Sequence, residues 1–229
     1  ILNPIQDMVN YKSEVSTRIS KDKAKELLQP TRAGEMEMEG AGETTHFSVV
    51  DSDGMLVSVT TSINAYFGSR AASASLGFIY NSYMEDFVYD DVTHPFAVGP
   101  NKMAYSSMSP TIVRSKEGEN VMATGSPGSA RIISAVAQTI QYWIDVKSDI
   151  NEAIQAPRVH VVGNKVYFER PDSTVSAWLN EQGYQLTEVK NELGVNGLNP
   201  YFGGVHAVAF ENGRWLGAAD PRRDGVDSQ

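Results

Sequence analysis

The 229-residue sequence contains no cysteine. This absence excludes disulfide bonds, thiolate nucleophiles and cysteine-ligated metals, and it leaves the cellular compartment open. Positive charge is also scarce, because 19 Lys and Arg stand against 28 Asp and Glu and give a net charge of −9. Such an acidic balance argues against nonspecific binding to nucleic acid or to an anionic membrane. The four histidines show no metal-ligand spacing, and the glycine-bearing segment 125–129 lacks the lysine of a phosphate-binding loop.

Long apolar runs are missing as well. Residues 1–11 are short and contain Pro4 and Asp7, so we expect neither a signal peptide nor a membrane span there. The composition, 41% hydrophobic and 21% charged, is that of an ordinary globular protein that can bury a full-sized core. Residues 19–28 are typical of a short charged helix, and the polar residues 31–43 predict a linker.

Behind the linker the pattern predicts strands, then helices, then strands again. Residues 47–51 and 56–64 alternate around the turn sequence Asp51-Ser52-Asp53-Gly54, which predicts a β-hairpin. A buried strand at 121–124 leads into a helix at 129–145. We assign one broad apolar face of this helix to Ile132, Ile133, Val136, Ile140, Trp143 and Ile144.

The later elements complete the prediction of fold class. They are helices at 151–155 and 174–182, and strands at 165–168, 205–210 and 214–218. This order lacks regular βαβ alternation and therefore indicates an α+β layered sandwich rather than a doubly wound sheet.

The junction at Thr44 carries the most chemical information. An acidic segment ends at Glu43, and an alternating strand begins with Thr44-Thr45-His46. If the chain were cut between Glu43 and Thr44, the new α-amine could accept the proton of the Thr44 hydroxyl and make it a nucleophile. Threonines also commonly begin a β-strand, so this pattern alone leaves both interpretations open.

Seven motifs that follow in order along the chain resemble those of one enzyme family. They are Thr44-Thr45-His46-Phe47-Ser48-Val49-Val50-Asp51, Asn81-Ser82-Tyr83-Met84-Glu85-Asp86-Phe87, Gly99-Pro100-Asn101-Lys102, Ser106-Ser107-Met108-Ser109-Pro110-Thr111, Thr124-Gly125-Ser126-Pro127-Gly128, Ala156-Pro157-Arg158 and Asp220-Pro221-Arg222. Together they resemble the small subunit of γ-glutamyltranspeptidase, an N-terminal-nucleophile hydrolase whose precursor cuts itself before a threonine. The resemblance covers about residues 44–222, and residues 13–34 resemble the end of the family's large subunit.

The resemblance implies an αββα four-layer sandwich of the N-terminal-nucleophile hydrolase type, of which this chain supplies part. Residues 1–43 are then the end of a large subunit with the processing linker, and residues 44–229 are the small-subunit catalytic domain. The remainder of the large subunit is the implied partner in a heterodimer, and it supplies an arginine for the substrate's α-carboxylate. No cofactor or metal is implied. The family resemblance favours an extracellular or periplasmic location, with a cytoplasmic one left open.

The resemblance also implies the roles at the reaction centre. Thr44, freed by cleavage after Glu43, would form a γ-glutamyl ester that water or an amine resolves. Ser62 stands where the family has a threonine that hydrogen-bonds the nucleophile. Asn64 lies two residues further on, so both side chains share one face of the strand. Two polar residues on a solvated strand face are the ordinary alternative. His46 matches the family too, and we interpret it as structural.

An oxyanion site is implied at Gly128 and Ser129, where the strand leads into a helix. Free backbone N–H groups at such a turn can stabilise a tetrahedral intermediate. The family has two glycines at these positions, so Ser129 is a departure that depends on the φ angle it must adopt. The alternative is an ordinary helix start with Ser126 or Ser129 as its N-cap.

Substrate binding is implied at four further residues. Ser106 and Ser107 resemble the pair that binds the α-carboxylate, and Asp86 resembles the acid that holds the α-ammonium. Tyr83 departs from the pattern, because the family usually has glutamine or glutamate there to assist the acid. The loop at 88–98 is also shorter than the lid of many members, which favours an open cleft. A short polar loop and an exposed carboxylate are the ordinary alternatives.

Three functions follow from these patterns. The first is a self-processing threonine hydrolase or acyltransferase acting on γ-glutamyl amides, with a small molecule such as glutathione or a polymer such as poly-γ-glutamate as donor. The second is an acylase of the same scaffold that acts on a non-glutamyl amide, which Tyr83 favours. The third is an uncleaved, catalytically silent homologue.

Overall fold

A computed structural model of the protein describes residues 42–189 and 197–227. In chain order its strands are β1 (Gly42–Val50), β2 (Leu56–Ala65), β3 (Ala72–Ser73), β4 (Phe78–Ile79), β5 (Thr111–Arg114), β6 (Asn120–Gly125), β7 (Val159–Val162), β8 (Lys165–Phe168), β9 (Gln185–Glu188), β10 (His206–Glu211) and β11 (Arg214–Ala219). Its α-helices are α1 (Arg131–Gln141), α2 (Ile150–Gln155) and α3 (Ser173–Glu181). This mixture of separate sheets and helices is the α+β class that the sequence predicts.

Strands β1 and β2 form the predicted antiparallel hairpin. The Asp51 carboxylate closes its turn by accepting hydrogen bonds from the backbone N–H groups of Asp53 and Met55, at 2.9 and 2.8 Å. Gly54 has a φ of +81°, a conformation that favours glycine. The hairpin is therefore defined by local turn chemistry, and its register places Thr44 opposite Ser62.

The larger sheet contains four antiparallel strands in the order β11-β10-β6-β5, and the hairpin packs against it. The buried His46 lies over Gly125, where a Cβ would overlap the imidazole ring. The Ser58 hydroxyl donates to the Thr124 carbonyl at 2.9 Å. These contacts fix the start of β1 relative to the end of β6, where the chain leaves the sheet for α1.

The opposite face of the larger sheet is covered by helices α1 and α2. Side chains alternate along a strand, so the face of β6 and β10 that turns away from the hairpin meets these helices. The core cluster consists of Met122, Ala135, Ile150, Ile154, Val205, Ala207, Ala209 and Ala218. Burial of each large apolar side chain contributes about 1.5–3 kcal/mol. The described residues thus form three layers, which are helix, sheet and hairpin.

A second sheet lies beside α1 and is built from β7, β8 and β9. The parallel pair β8 and β9 is connected through α3, whose N-cap Asp172 accepts hydrogen bonds from the N–H groups of Thr174 and Val175. Within the described ranges, no helix combines the length and the apolar content that a bilayer crossing requires.

A network of four buried charges connects the chain after α2 with the end of β11. Asp220 contacts Arg158 at 2.7 Å and Arg222 at 3.1 Å, and Arg222 also contacts Glu169 at 2.6 Å. All four residues are at most 8% exposed. Two positive and two negative charges compensate one another here, which the low polarity of the interior requires.

The helix predicted at 129–145 is longer than the observed α1, and the apolar face assigned to it is broader than the buried one. Helix α1 begins at Arg131, and a π-helical turn at Tyr142–Val146 replaces its predicted end. Ile133 and Ile144 are exposed, at 52% and 47%. The buried stripe contains Ile132, Ala135, Val136 and Thr139, which follow the i, i+3, i+4, i+7 spacing of one helix face.

Other predictions lie close to the observed elements. The predicted helices at 151–155 and 174–182 correspond to α2 and α3, and the three late strands correspond to β8, β10 and β11. The predicted helix at 19–28 and most of the predicted linker lie outside the described residues.

Candidate active site

The Thr44 hydroxyl donates a hydrogen bond to the Ser62 hydroxyl at 2.9 Å. Both residues are half-buried. Ser62 Oγ also accepts a hydrogen bond from the backbone N–H of Asn64, at 2.9 Å. Two donors therefore fix the position of this oxygen, and its own proton is left to donate elsewhere.

That proton is donated to the backbone carbonyl of Glu43, at 3.1 Å. The register between β1 and β2 shifts between Glu43 and Thr44, so a β-bulge lies at the peptide bond that joins them. Ser62 thus bridges the Thr44 hydroxyl and the carbonyl of the preceding residue. The Thr44 hydroxyl and the Glu43–Thr44 peptide bond therefore lie close together.

Asn64 connects this centre to the short helical turn Tyr83–Asp86. Its side chain hydrogen-bonds the Asp86 carboxylate, and its own φ is +68°. The buried Ser82 anchors the turn to the end of β2: its N–H donates to the Ile63 carbonyl at 3.0 Å, and its hydroxyl accepts from the Ala65 N–H at 3.1 Å.

The electrostatics of Asp86 reflect this position. Burial raises the pKa of the carboxyl, the Asn64 hydrogen bond lowers it, and the neighbouring Glu85 carboxylate raises it; the net shift is upward. A bound ammonium group would favour the ionised form of this carboxyl. A cation beside Asp86 would thus oppose the effect of burial on this pKa.

The turn between β6 and α1 carries Gly128 and Ser129. Their φ angles are +136° and +54°, so Ser129 has a left-handed conformation that is uncommon for a residue with a Cβ. The Gly128 carbonyl accepts from the Arg131 N–H at 3.1 Å. Within residues 42–189 and 197–227, neither the Gly128 nor the Ser129 N–H has a hydrogen-bond acceptor. Two unused donors at a helix start can hold an anion.

Packing on the buried side fixes this turn. The fully buried Ser126 hydroxyl donates to the Pro127 carbonyl at 2.6 Å and accepts from the Gly204 N–H at 3.0 Å. A Cβ on Gly128 would approach the Gly203 Cα to 3.0 Å, so this position tolerates only glycine. Ala130 precedes α1 and makes no side-chain cap hydrogen bond, so neither predicted serine serves as an N-cap.

The two serines of the predicted carboxylate site differ in their contacts. Ser106 is exposed, and its hydroxyl accepts from the Met108 N–H at 3.3 Å. The Ser107 hydroxyl donates to the Ser129 carbonyl at 2.7 Å. Tyr83 donates its hydroxyl hydrogen to the Met108 sulfur at 3.6 Å. The phenol is therefore held against the serine loop.

These residues form one cleft with a cavity of about 30 Å³, which is space for about one or two water molecules. Its lining residues are Thr44, Ser62, Asn64, Tyr83, Asp86, Tyr105, Ser106, Ser107, Met108, Ser129 and Ile132. The structure thus brings together most of the predicted site residues, while Gly128 lies just behind the lining. Tyr105, Met108 and Ile132 were not predicted to face the site.

A larger cavity of about 300 Å³ lies between β1 and β10 and contains none of the predicted site residues. In the described part of the chain, no three His, Asp or Glu side chains are grouped as a metal site requires.

The family model described as Gamma-glutamyltranspeptidase matches residues 5–229 of this chain. The chain belongs to the γ-glutamyltranspeptidase family. It is 35% identical over 232 residues to the glutathione hydrolase proenzyme of Escherichia coli strain K12. This match covers 96% of this chain and 38% of that protein. It is also 32% identical over 222 residues to the acylase ACY 1 proenzyme of Pseudomonas sp. strain V22. That match covers 94% of this chain and 36% of that protein.

The fold is similar to solved structures of the family. A crystal structure of a mutant γ-glutamyltranspeptidase from Helicobacter pylori matches with a TM-score of 0.66 and 34% identity, covering 78% of this chain and all of that chain. The N-terminal-nucleophile hydrolase fold that the resemblance implies is thereby confirmed. The chain spans little more than a third of the length of the curated relatives named above.

Proposed function

We propose that this chain carries the catalytic part of a self-processing threonine hydrolase or acyltransferase that acts on γ-glutamyl amides. The observation that carries the proposal is the hydrogen-bonded series from Thr44 Oγ1 through Ser62 Oγ to the Glu43 carbonyl, located at a β-bulge. The family's relatives include proteins named glutathione hydrolase proenzymes, which supports both the precursor and the reaction class.

Self-cleavage begins with attack of Thr44 Oγ on the Glu43 carbonyl carbon. The Thr44 proton moves to Ser62 Oγ while the Ser62 proton moves to the Glu43 oxygen, so the tetrahedral intermediate forms without separated charges. Its collapse breaks the Glu43–Thr44 C–N bond, transfers a proton to the departing nitrogen and leaves an ester on Thr44. That collapse already frees the α-amine of Thr44; water then hydrolyses the ester, which releases the Glu43 carboxylate and restores the Thr44 hydroxyl.

Turnover uses the same hydroxyl with a different base. The freed α-amine of Thr44 accepts the hydroxyl proton as Oγ attacks the γ-glutamyl carbonyl. The N–H groups of Gly128 and Ser129 hold the oxyanion, and loss of one such donor costs about 3–4 kcal/mol in other enzymes. The amine of the donor leaves with the proton, and water or an acceptor amine releases the γ-glutamyl group from the ester.

Recognition of the glutamyl end is assigned to the residues around the cleft. Asp86 holds the α-ammonium group, and Ser106 with Ser107 contributes donors for the α-carboxylate. The remainder of a large subunit completes the site in a heterodimer. The match to the glutathione hydrolase proenzyme covers only 38% of that protein, which supports such a partner.

The test is intact-mass analysis and N-terminal sequencing of the full-length protein. We expect two chains, the second beginning at Thr44, and an ester adduct on that chain after treatment with a γ-glutamyl affinity inhibitor. Thr44→Ala abolishes cleavage and adduct, whereas Thr44→Ser retains a hydroxyl and both reactions at reduced rate. A wild-type chain that stays uncut and unlabelled overturns the proposal and indicates a silent homologue.

A second candidate is an acylase that acts on a non-glutamyl amide. The Tyr83 phenol, held against Met108, occupies the wall of the cleft beside Asp86 and gives it an apolar surface. A relative at 32% identity is named an acylase. Comparison of γ-glutamyl-nitroanilide, poly-γ-glutamate and acyl-β-lactams as substrates of the processed protein separates the two candidates.

A further inference from the structure

The proposed mechanism does not explain why Ser129 adopts a left-handed backbone conformation. Ser129 has a Cβ and a φ of +54°. Such a conformation is strained for a residue with a Cβ, and it persists only where the surrounding structure holds it. Gly128 beside it is held by close packing against Gly203, but that contact does not act on Ser129 itself.

Two hydrogen bonds hold the Ser129 carbonyl. The Ile132 N–H, at the start of α1, donates to it at 3.1 Å, and the Ser107 hydroxyl donates to it at 2.7 Å from the loop on the other side of the cleft. The preceding carbonyl, of Gly128, is bonded to the Arg131 N–H. Both peptide planes that flank Ser129 are therefore fixed by their carbonyls.

The orientation of the Ser129 N–H follows from this arrangement. In a trans peptide the N–H and the C=O point in opposite directions. Because the Gly128 carbonyl points toward α1, the Ser129 N–H points away from the helix, on the side where Ser129 lines the cleft with Thr44. A rotation at Ser129 would remove this donor from the place where it can stabilise an oxyanion.

We propose that Ser107 is a positioning residue, which holds Ser129 in its left-handed conformation and so keeps the N–H group of Ser129 available to the oxyanion. This inference rests on the proposed function for its catalytic consequence. Because the Ser107 hydroxyl donates to the Ser129 carbonyl, the donor that Ser107 can offer to the carboxylate is its backbone N–H, while Ser106 can offer its hydroxyl.

The experiment is a double-mutant cycle on the full-length protein with Ser107→Ala and Ser129→Gly. Glycine adopts positive φ at little cost, so Ser129→Gly makes the turn less dependent on the hydrogen bond from Ser107. We expect Ser107→Ala to lower kcat by about tenfold or more, with a smaller change in KM. We expect the loss to be clearly smaller in the Ser129→Gly background. Thr111→Val is the matched control, because it removes a hydroxyl-to-carbonyl bond from the same segment, to the Ser109 carbonyl, that involves neither Ser107 nor Ser129.

Thermal unfolding of the same variants gives a readout that does not need activity. Non-additive changes in Tm for Ser107→Ala and Ser129→Gly support the positioning role of Ser107. A wild type without γ-glutamyl activity would overturn the proposed function and leave this result intact. Equal kcat losses in both backgrounds, or a loss confined to KM, overturn the inference while the proposed function stands. An effect of Thr111→Val as large as that of Ser107→Ala also overturns it.

Discussion

His46 lies directly over Gly125, so that the only residue that fits beneath the imidazole ring is one without a side chain. The ring is held by two hydroxyls, with Nδ1 2.8 Å from Thr60 Oγ1 and Nε2 2.9 Å from Ser48 Oγ. This contact joins β1, which carries Thr44, to β6, which leads into the turn at Gly128 and Ser129. Its effect on stability and on geometry is open to direct measurement.

Gly125→Ala should destabilise the protein. The added methyl group overlaps the His46 ring, and overpacking of this kind costs about 1–3 kcal/mol. Gly99→Ala is the matched control, since its Cβ would meet only the flexible Lys102 side chain, at an ordinary 3.5 Å. Urea unfolding of both variants checks the prediction, and equal stabilities would contradict it.

The stability of the protein should also fall in mildly acidic solution because of His46. Burial first, and then the neighbouring His206, lower the pKa of His46 from 6.5 to about 4. The unfolded chain therefore binds a proton near pH 6.5 that the folded chain binds only near pH 4. The stabilising contribution is complete above pH 6.5 and is lost as the pH falls toward 4.

The pKa values of His160 and His206 are also lowered, mainly by burial, so they act in the same direction. Urea midpoints measured between pH 7 and pH 4, together with NMR titration of the His46 ring, check the prediction. A His46 titration midpoint near 6.5 in the folded protein would show that it is wrong.

Ser62→Ala should slow self-cleavage by about tenfold to a hundredfold. It removes the acceptor of the Thr44 proton and the donor to the Glu43 carbonyl, and each such hydrogen bond contributes about 1–2 kcal/mol. Ser62→Thr keeps the hydroxyl and should process at close to the normal rate. The fraction of cut chain is followed by intact mass after expression. Normal processing of Ser62→Ala would exclude the serine from this step.

Tyr83→Gln should shift the substrate preference toward γ-glutamyl donors, by about tenfold in the ratio of kcat/KM values. The smaller amide side chain leaves the Met108 contact and can hydrogen-bond an ammonium group beside Asp86. Tyr83→Phe loses only the phenol oxygen and should keep the original preference. The measurement is the kcat/KM for γ-glutamyl-nitroanilide divided by the kcat/KM for an acyl amide. An unchanged ratio in Tyr83→Gln counts against a role of Tyr83 in substrate preference.

Asp220→Ala should be strongly destabilising, by about 3–5 kcal/mol, because it leaves Arg158 and Arg222 buried without their shared partner. Asp90→Ala provides a control at an exposed position. Denaturant unfolding measures both changes. A loss below about 1 kcal/mol in Asp220→Ala would mean that the network contributes little.

Local patterns predicted the part of the site that depends on neighbouring residues in the chain. The turn chemistry at Asp51 and the alternation of the two strands are enough to place Ser62 opposite Thr44. The strand-to-helix turn at Gly128 was found in the same way. Asp86 was identified through the resemblance alone, and its contact with Asn64 depends on the anchor at Ser82.

Contacts between distant segments were beyond sequence reasoning. The hydrogen bond from Ser107 to Ser129 spans 22 positions and joins two loops whose approach depends on the packed sheet. Met108 and Tyr105 reach the cleft for the same reason. The four-residue strands β5, β7 and β9 were not predicted, and their pairing with β6 and β8 depends on the packed sheets.

The bulge between Glu43 and Thr44 has a consequence for what the protein becomes after cleavage. From Thr45 to Val50 the pairing with β2 continues without interruption, so the strand end need not move when the bond breaks. Cleavage at this bond would therefore add an ionisable amine, with an ordinary pKa near 8 for such groups, beside Ser62 and Asn64. It would change the protonation chemistry at Thr44 without requiring the hairpin to rearrange.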